Sequence, residues 1–299
     1  MGRRRKGIKL DGWMVIDKPL GISSSNVVGK VKYLTKAQKV GHGGTLDPLA
    51  TGILPIGLGE ATKTMPYIVD ASKEYEFTVK WGSATDSDDR EGAVIHSGGH
   101  VPTEKDILGV LAGFTGTIEQ IPPAYSAIKV NGQRAYKLAR SGETVELKSR
   151  AVEIQSLTLV SHDEENGSSS FHVGCGKGTY IRSLGRDIAL KLGTWAHVIV
   201  LRRTRVGPFA LEQAISLEKL EQLSHSAPAA EYILPVVTAL DDILVLAITE
   251  TETTDIMHGR SIQCSKAKQG TLVLMAGDTP VAIAEAEDGM IRPLRVFNM

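Results

Sequence analysis

Gly41-His-Gly-Gly-Thr-Leu-Asp-Pro-Leu-Ala-Thr-Gly52 is a glycine-rich loop that runs directly into the apolar stretch Ile53-Leu-Pro-Ile-Gly-Leu58. A loop set against a buried strand suits a site more than a linker, because the rigid element fixes what the loop presents. Taken alone, Asp47-Pro48 within it is an ordinary turn dipeptide. Upstream, Gly12-Trp-Met-Val-Ile-Asp17 reads as a buried strand, and Lys18-Pro-Leu-Gly-Ile-Ser23 as a turn into a helix capped near Ser23 to Ser25. Val27, Val28, Val31 and Leu34 then recur at helical spacing.

Downstream, Lys73 to Trp81 alternates Tyr75, Phe77, Val79 and Trp81 on one face against a polar opposite face, the period-two pattern of a half-buried strand. Further strands are predicted near Arg150 to Ser161, Ser169 to Cys175 and Ala196 to Val206. A helix is predicted from Thr179 to Leu192, with a stripe of Ile181, Leu184, Ile188 and Leu192. Arg182 falls off that stripe, in the first turn. The mixture predicts an α+β fold with a mixed, mainly antiparallel central sheet and flanking helices. Residues 121–150 carry turn signals, a basic helical pattern and little core periodicity, so they read either as an insertion closing over a ligand or as a packed surface hairpin and helix. Composition shifts near Pro235 to Asp242. The expected division is therefore residues 1–240 as the main domain and 241–299 as a small β-rich second domain.

At 299 residues, with 42% hydrophobic and 23% charged residues, the chain can bury a sizeable core without staples. No run approaches the roughly 20 apolar residues of a membrane span, and the basic start MGRRRKG leads into Ile-Lys-Leu-Asp, so a cytoplasmic protein is expected. Cys175 and Cys264 lie far apart with no C-x-x-C spacing, which argues against a zinc site or a disulfide framework. Gly174-Cys-Gly-Lys-Gly-Thr179 lacks the Ser or Thr that a phosphate loop needs after Lys177 and the upstream glycine, and Gly57-Leu-Gly-Glu-Ala-Thr-Lys-Thr64 fails both the phosphate-loop and the dinucleotide spacings. Asp86-Ser-Asp-Asp89 lacks the glycine and glutamate of a calcium loop and reads as a solvated turn. No metal and no cofactor are expected.

Net charge is zero, but residues 241–299 hold nine acids against five Lys/Arg, which leaves 1–240 with a balance of +4. Arg3, Arg4, Arg5 and Lys6 make a basic arm, and Arg202, Arg203 and Arg205 a second cluster able to neutralise phosphates, or simply to be solvated.

GHGGTLDPLATG, with DKPLGISS before it and GKGTYIRSLGRDIA and HVIVLRRTRVGPF after it, resembles the TruB family of tRNA pseudouridine synthases in content, order and spacing. The resemblance runs from about Gly12 to about Ser216. YSAIKVNGQRAYKLARSGETVE is also similar to that family and unlike its guide-RNA-dependent relatives. MHGRSI and EDGMIRPLRVF resemble a short PUA-like RNA-binding domain. Gly43 departs from the pattern, where Ala or Thr is commoner; the expectation is added backbone freedom beside His42.

The resemblance implies that Asp47 is the catalytic carboxylate, that Arg182 pairs with it, and that Tyr75 stacks on the target uracil. It also implies substrate contacts by His42, Tyr180 and Leu201. Read from the residues alone, Tyr75 and Leu201 could be core residues, Tyr180 a helix-start packing residue and His42 a loop-stabilising imidazole. The implied activity is isomerisation of uridine to pseudouridine at position 55 in the T-loop of tRNA, by a monomer without guide RNA or protein partner. Such a reaction breaks the N1–C1′ bond, turns the base and joins C1′ to C5, with no redox change and no cofactor. An ionised aspartate can attack an electrophilic carbon or take a sugar proton, and the base must first be flipped out. Two other classes remain open at this point: an RNA-binding or folding module, and a nucleoside hydrolase using Asp47.

Overall fold

In this computed structural model residues 7–126, 128–130, 132–134, 138, 147–226, 228, 231–264 and 267–299 are described. The basic arm and residues 127, 131, 135–137 and 139–146 of the 121–150 segment fall outside them. The chain begins with strand β1 (Gly12–Lys18), helix α1 (Ser24–Thr35), β2 (Val40–His42) and β3 (Thr51–Leu58). Ser23 caps α1 by accepting the Asn26 N–H at 3.2 Å, as its sequence predicts. Next come α2 (Met65–Asp70), β4 (Lys73–Trp81), the β5 (Ser83–Thr85) and β6 (Val94–Ser97) hairpin, α3 (Glu104–Leu111) and β7 (Gly116–Gln120). The two-residue strands β8 (Lys129–Val130) and β9 (Gln133–Arg134) pair with each other. They precede β10 (Arg150–Asp163), β11 (Ser168–Cys175), α4 (Ile181–Lys191), β12 (Ala196–Val206), β13 (Phe209–Ala210) and α5 (Leu217–Ser226).

Seven of these strands form the main sheet in the order β1-β3-β12-β4-β11-β10-β7, with β2 added on β3 and β13 on β12. Every pairing is antiparallel except β3 with β12. The α+β expectation therefore holds, and so does the alternation in β4, whose odd positions are buried along its length. The β3–β12 seam is where the loop ending at Gly52 enters the sheet. Gly52 has φ +96°, and a Cβ there would lie 2.1 Å from the Arg203 carbonyl oxygen, so only glycine lets the two backbones approach this closely.

Residues beyond 240 form a second sheet from β14 (Leu244–Ala247), β15 (Ile262–Gln263), β16 (Gly270–Ala276), β17 (Thr279–Glu287) and β18 (Met290–Val296), in the order β14-β16-β17-β18-β15, with α6 (Glu250–Met257) against it. One face has its own core around Ile256, Leu274 and Ile291. The other contributes Val273, Ile283 and Phe297 to a core shared with Trp13, Val15, Ile53 and Phe209 of the main sheet. Lys63 and Glu60 add polar ties across this junction, to the Val296 carbonyl and the Asn298 N–H at 2.7 Å each.

Candidate active site

The Asp47 loop is fastened from several sides. The Pro48 carbonyl accepts from Lys18 Nζ at 3.2 Å and from the Gly21 N–H at 2.8 Å. Ser24 Oγ, at the start of α1, both donates to the Leu46 carbonyl (2.9 Å) and accepts from the Leu46 N–H (2.8 Å). On the sheet side, Arg203 donates to Ile53 O at 2.8 Å and to Gly44 O at 3.1 Å. Lys18 is fully buried and also bonds the carbonyls of Pro19 and Ile22. Burial lowers its pKa to about 8, with the Asp47 charge opposing the fall. The DKPLG turn thus locks the loop in place.

Asp47 and Arg182 meet as expected: Nη2 lies 2.9 Å from Oδ2, with the arginine side chain 4% exposed and the aspartate 38%. Arg182 is itself held by the carbonyls of Ser87 and Tyr125, each at 2.8 Å, and by Asp89, whose Oδ2 is 3.3 Å from Nη1. Asp89 in turn accepts from Ser87 Oγ (2.6 Å) and the Glu91 N–H (2.9 Å). One turn along α4, Arg186 pairs with Asp88 at 2.7 Å and with Asp187 at 2.9 Å. The Asp88 carboxyl rises to about 6 because burial outweighs Arg186 and Arg182.

These contacts correct the reading of Asp86-Ser-Asp-Asp89 as a solvated turn, since Ser87, Asp88 and Asp89 are all buried. An acid-rich turn looks solvent-facing by composition. Its arginine partners lie about a hundred residues away on α4, at a spacing of four that aims both guanidinium groups into the turn. Asp89, Lys18, Ser24 and Arg203 are the site residues that sequence reasoning missed; the i,i+4 arginines were the available signal for the first.

Tyr75 and Leu201 are buried together in the cluster that also holds Leu46, Leu49, Ala50 and Ile181, so they line the floor beneath the Asp47 loop. Burial raises the Tyr75 phenol above its ordinary pKa, with Arg203 opposing. His42 lies on β2 opposite Ile56, and its buried Nδ1 has no hydrogen-bond partner among the described residues. Burial and then the Arg203 charge lower its pKa, which keeps the imidazole neutral. Tyr180 is the residue capping α4. Its backbone is held by both ends of the Gln120 amide (2.8 and 3.1 Å), and its ring lies under Arg150 at 5.0 Å.

Two further expectations change. The Arg202, Arg203 and Arg205 cluster does not act as one phosphate patch: Arg202 makes a bidentate pair with Asp17 (3.0 and 2.8 Å), Arg203 is buried, and Arg205 alone is open. Alternation turns Arg202 and Arg203 to opposite faces, and the register shift between Arg203 and Arg205 leaves Arg205 exposed. Gly43, in turn, is not a site of left-handed backbone; a Cβ there would lie 2.4 Å from Ile68 Cγ2, so lack of room explains the glycine. Elsewhere in the site, burial raises the Cys175 thiol to about 11, which makes it inert at neutral pH. Among the described residues, no three His, Cys, Asp or Glu side chains are grouped to hold a metal.

The TruB family pseudouridylate synthase N-terminal domain matches residues 32–181, and the tRNA pseudouridylate synthase B C-terminal domain matches residues 182–245. The chain is 47% identical to the tRNA pseudouridine synthase B of Rhodospirillum rubrum and 46% identical to that of Caulobacter vibrioides, in both cases over all of both chains. Among solved structures it resembles a chain of an H/ACA RNP bound to a substrate RNA containing 2′-deoxyuridine, with TM-score 0.74 and 25% identity, covering all of this chain and 92% of that one. A chain of a Cbf5-Nop10-Gar1 complex matches with TM-score 0.72 and 27% identity, over 96% of this chain and 84% of that one. The α+β sheet described above is thus the pseudouridine synthase fold. With the family domains meeting at Ile181 and Arg182 and whole-chain relatives of this similarity, the chain belongs to the TruB family of pseudouridylate synthases and is an isomerase.

Proposed function

We propose that the chain converts uridine 55 in the T-loop of tRNA into pseudouridine, with Asp47 as the catalytic carboxylate. The observation that carries this reading is the Asp47–Arg182 pair: a half-exposed carboxylate directed by a buried guanidinium, on a loop that is fastened on both flanks. Attack at C1′, attack at C6 and removal of a sugar proton each require an anionic carboxylate held in one direction. The uridine is flipped out to reach it, at a cost of a few kcal/mol that stacking on Tyr75 and contacts from His42, Tyr180 and Leu201 offset. Because the base is detached and rejoined, the apolar floor of Leu46, Leu49 and Leu201 serves to keep water away from the intermediate.

The β-rich unit at 241–299 serves as a PUA-like RNA-binding domain in this reading. The chain works as a cytoplasmic monomer without guide RNA or protein partner. Whole-length identity of 46–47% to bacterial tRNA pseudouridine synthase B, against 25–27% to the H/ACA proteins, supports that choice.

Asp47→Asn tests the mechanism. Asn keeps the size and removes the charge, so circular dichroism and the tRNA-binding isotherm should match the parent while single-turnover pseudouridine yield vanishes. Near-parental turnover in the variant would overturn the role of Asp47. A T-arm stem-loop is expected to react as well; reaction of full-length tRNA alone would move recognition elsewhere.

A further inference from the structure

Arg203 is 1% exposed, and its neighbours on the strand pair with Asp17 and Glu74, whereas Arg203 has no carboxylate partner among the described residues. A buried cation without a counter-ion is costly, and an apolar side chain of the same volume would fill the space at less expense. What the guanidinium touches gives the reason for its presence. Nη2 bonds the Gly44 carbonyl and Nε the Ile53 carbonyl, so one side chain ties together the two ends of the loop that carries Asp47.

Strand register brings a third element to the same group. Arg203 stands opposite Gly52 of β3 on one side and opposite Tyr75 of β4 on the other. The Arg203 charge faces the Tyr75 phenol, the polar end of an otherwise buried ring, across that register pair. Gly44, whose carbonyl the guanidinium holds, has φ +108°, a conformation that side chains with a Cβ rarely adopt, and Gly52 closes on the Arg203 backbone. The loop is therefore anchored on the residue that stands opposite the ring.

We propose that Arg203 is a positioning residue for the reaction: its buried guanidinium fixes the two ends of the Asp47 loop while its backbone stands opposite Tyr75, so that carboxylate and stacking ring keep one separation. This rests on the roles given above to Asp47 and Tyr75. Arg203 does not touch the substrate and acts through those two residues. Misplacement of reacting groups by about 1 Å costs on the order of a hundredfold in rate, and that is the effect assigned to its loss.

The test uses the full chain with Arg203→Met and Arg203→Lys, measuring tRNA affinity and single-turnover rate at saturating unmodified tRNA. Arg203→Met is expected to lose about a hundredfold in rate with affinity within about threefold, and Arg203→Lys, which keeps the charge and one donor nitrogen, to recover about tenfold of it. A parental rate at saturation in Arg203→Met, or a loss confined to affinity, overturns the proposal. Should the Met variant fail to fold, Arg203→Lys decides alone: a rate about tenfold below the parent at unchanged affinity supports positioning, and a parental rate overturns it. Asp47→Asn run alongside separates the two readings. Turnover by that variant defeats the catalytic role itself, whereas an inactive Asp47→Asn beside a fully active Arg203→Met defeats only the positioning role.

Discussion

Arg182 Nη2 lies 2.9 Å from Asp47 Oδ2 in an ion pair whose two members differ in exposure, the arginine 4% and the aspartate 38%. The asymmetry gives the pair a direction. Arg182 is anchored from behind by Asp89 and two carbonyls, so Asp47 receives a fixed charge from the protein side and presents its free edge to the open side. Low surrounding polarisability strengthens such a contact and lets the site be arranged before substrate arrives.

Asp89→Asn is expected to weaken both fold and turnover. The amide oxygen can still accept from Ser87, but Arg182 then has Asp47 as its remaining carboxylate partner, and breaking one side of a buried pair costs up to about 3–5 kcal/mol. With Arg182 free to shift, single-turnover rate should fall by about tenfold or more under conditions where the variant is folded. Urea unfolding and a rate measurement check this; parental values in both would show that Asp89 does not anchor Arg182.

Asp88 makes a pH prediction of definite sign. Its folded pKa of about 6 lies above the ordinary 3.8, so between these values the folded chain holds a proton that the unfolded chain releases. The resulting contribution to stability is fully present below about pH 4 and is lost as pH rises through about 6. The difference in unfolding free energy between the parent and Asp88→Asn should therefore fall from pH 4 to 6 and stay level above 7. A difference that rises over this window would mean that Arg186, not burial, dominates at Asp88.

Local pattern carried the fold well because its signals are short-range. The alternation of Tyr75, Phe77, Val79 and Trp81 gave β4, and the Ile181, Leu184 and Ile188 stripe gave α4, without reference to any partner. The Asp47 loop was legible from its own residues and from the family resemblance. Asp89 and Arg203 were not, because their meaning lies in partners separated by about 90 to 160 positions. Arg182 sits off the apolar stripe yet is buried, since its polar shell comes from three other segments. A charged side chain is read as surface until such a shell is known.

Gly43 and Ile68 form a steric pair, and a double-substitution experiment reads their coupling. Gly43→Ala places a Cβ 2.4 Å from Ile68 Cγ2, in a β-branched side chain that is fully packed and cannot retreat, so overpacking should cost about 1–3 kcal/mol. Ile68→Ala alone leaves a cavity and should cost about 2–5 kcal/mol. Combined, each relieves the other, and the double variant should be more stable than the sum of the single losses requires. Strict additivity in urea unfolding would remove the steric reason for glycine at this position.

The shared core between the two sheets predicts joint unfolding. Phe297, at the end of β18, is buried with Trp13, Val236 and Phe209, and its N–H is tied to the Val281 carbonyl at 2.8 Å. Phe297→Ala removes a large aromatic ring from the junction and should cost about 3–5 kcal/mol, an effect of cavity formation added to lost burial. Because Val15 and Ile53 of the main sheet pack in the same cluster, that loss should lower the stability of the catalytic half as well. Deleting residues 241–299 would strip the same face and so mix loss of the RNA contacts proposed for this unit with lost packing. The cleaner measurement follows thermal unfolding of the parent and Phe297→Ala by two probes, Trp13-sensitive fluorescence for the main sheet and hydrogen exchange of β16 and β17 for the second. Coincident transitions that shift down together are expected, whereas a main-sheet transition that stays at its parental temperature would mean that the two sheets are energetically independent.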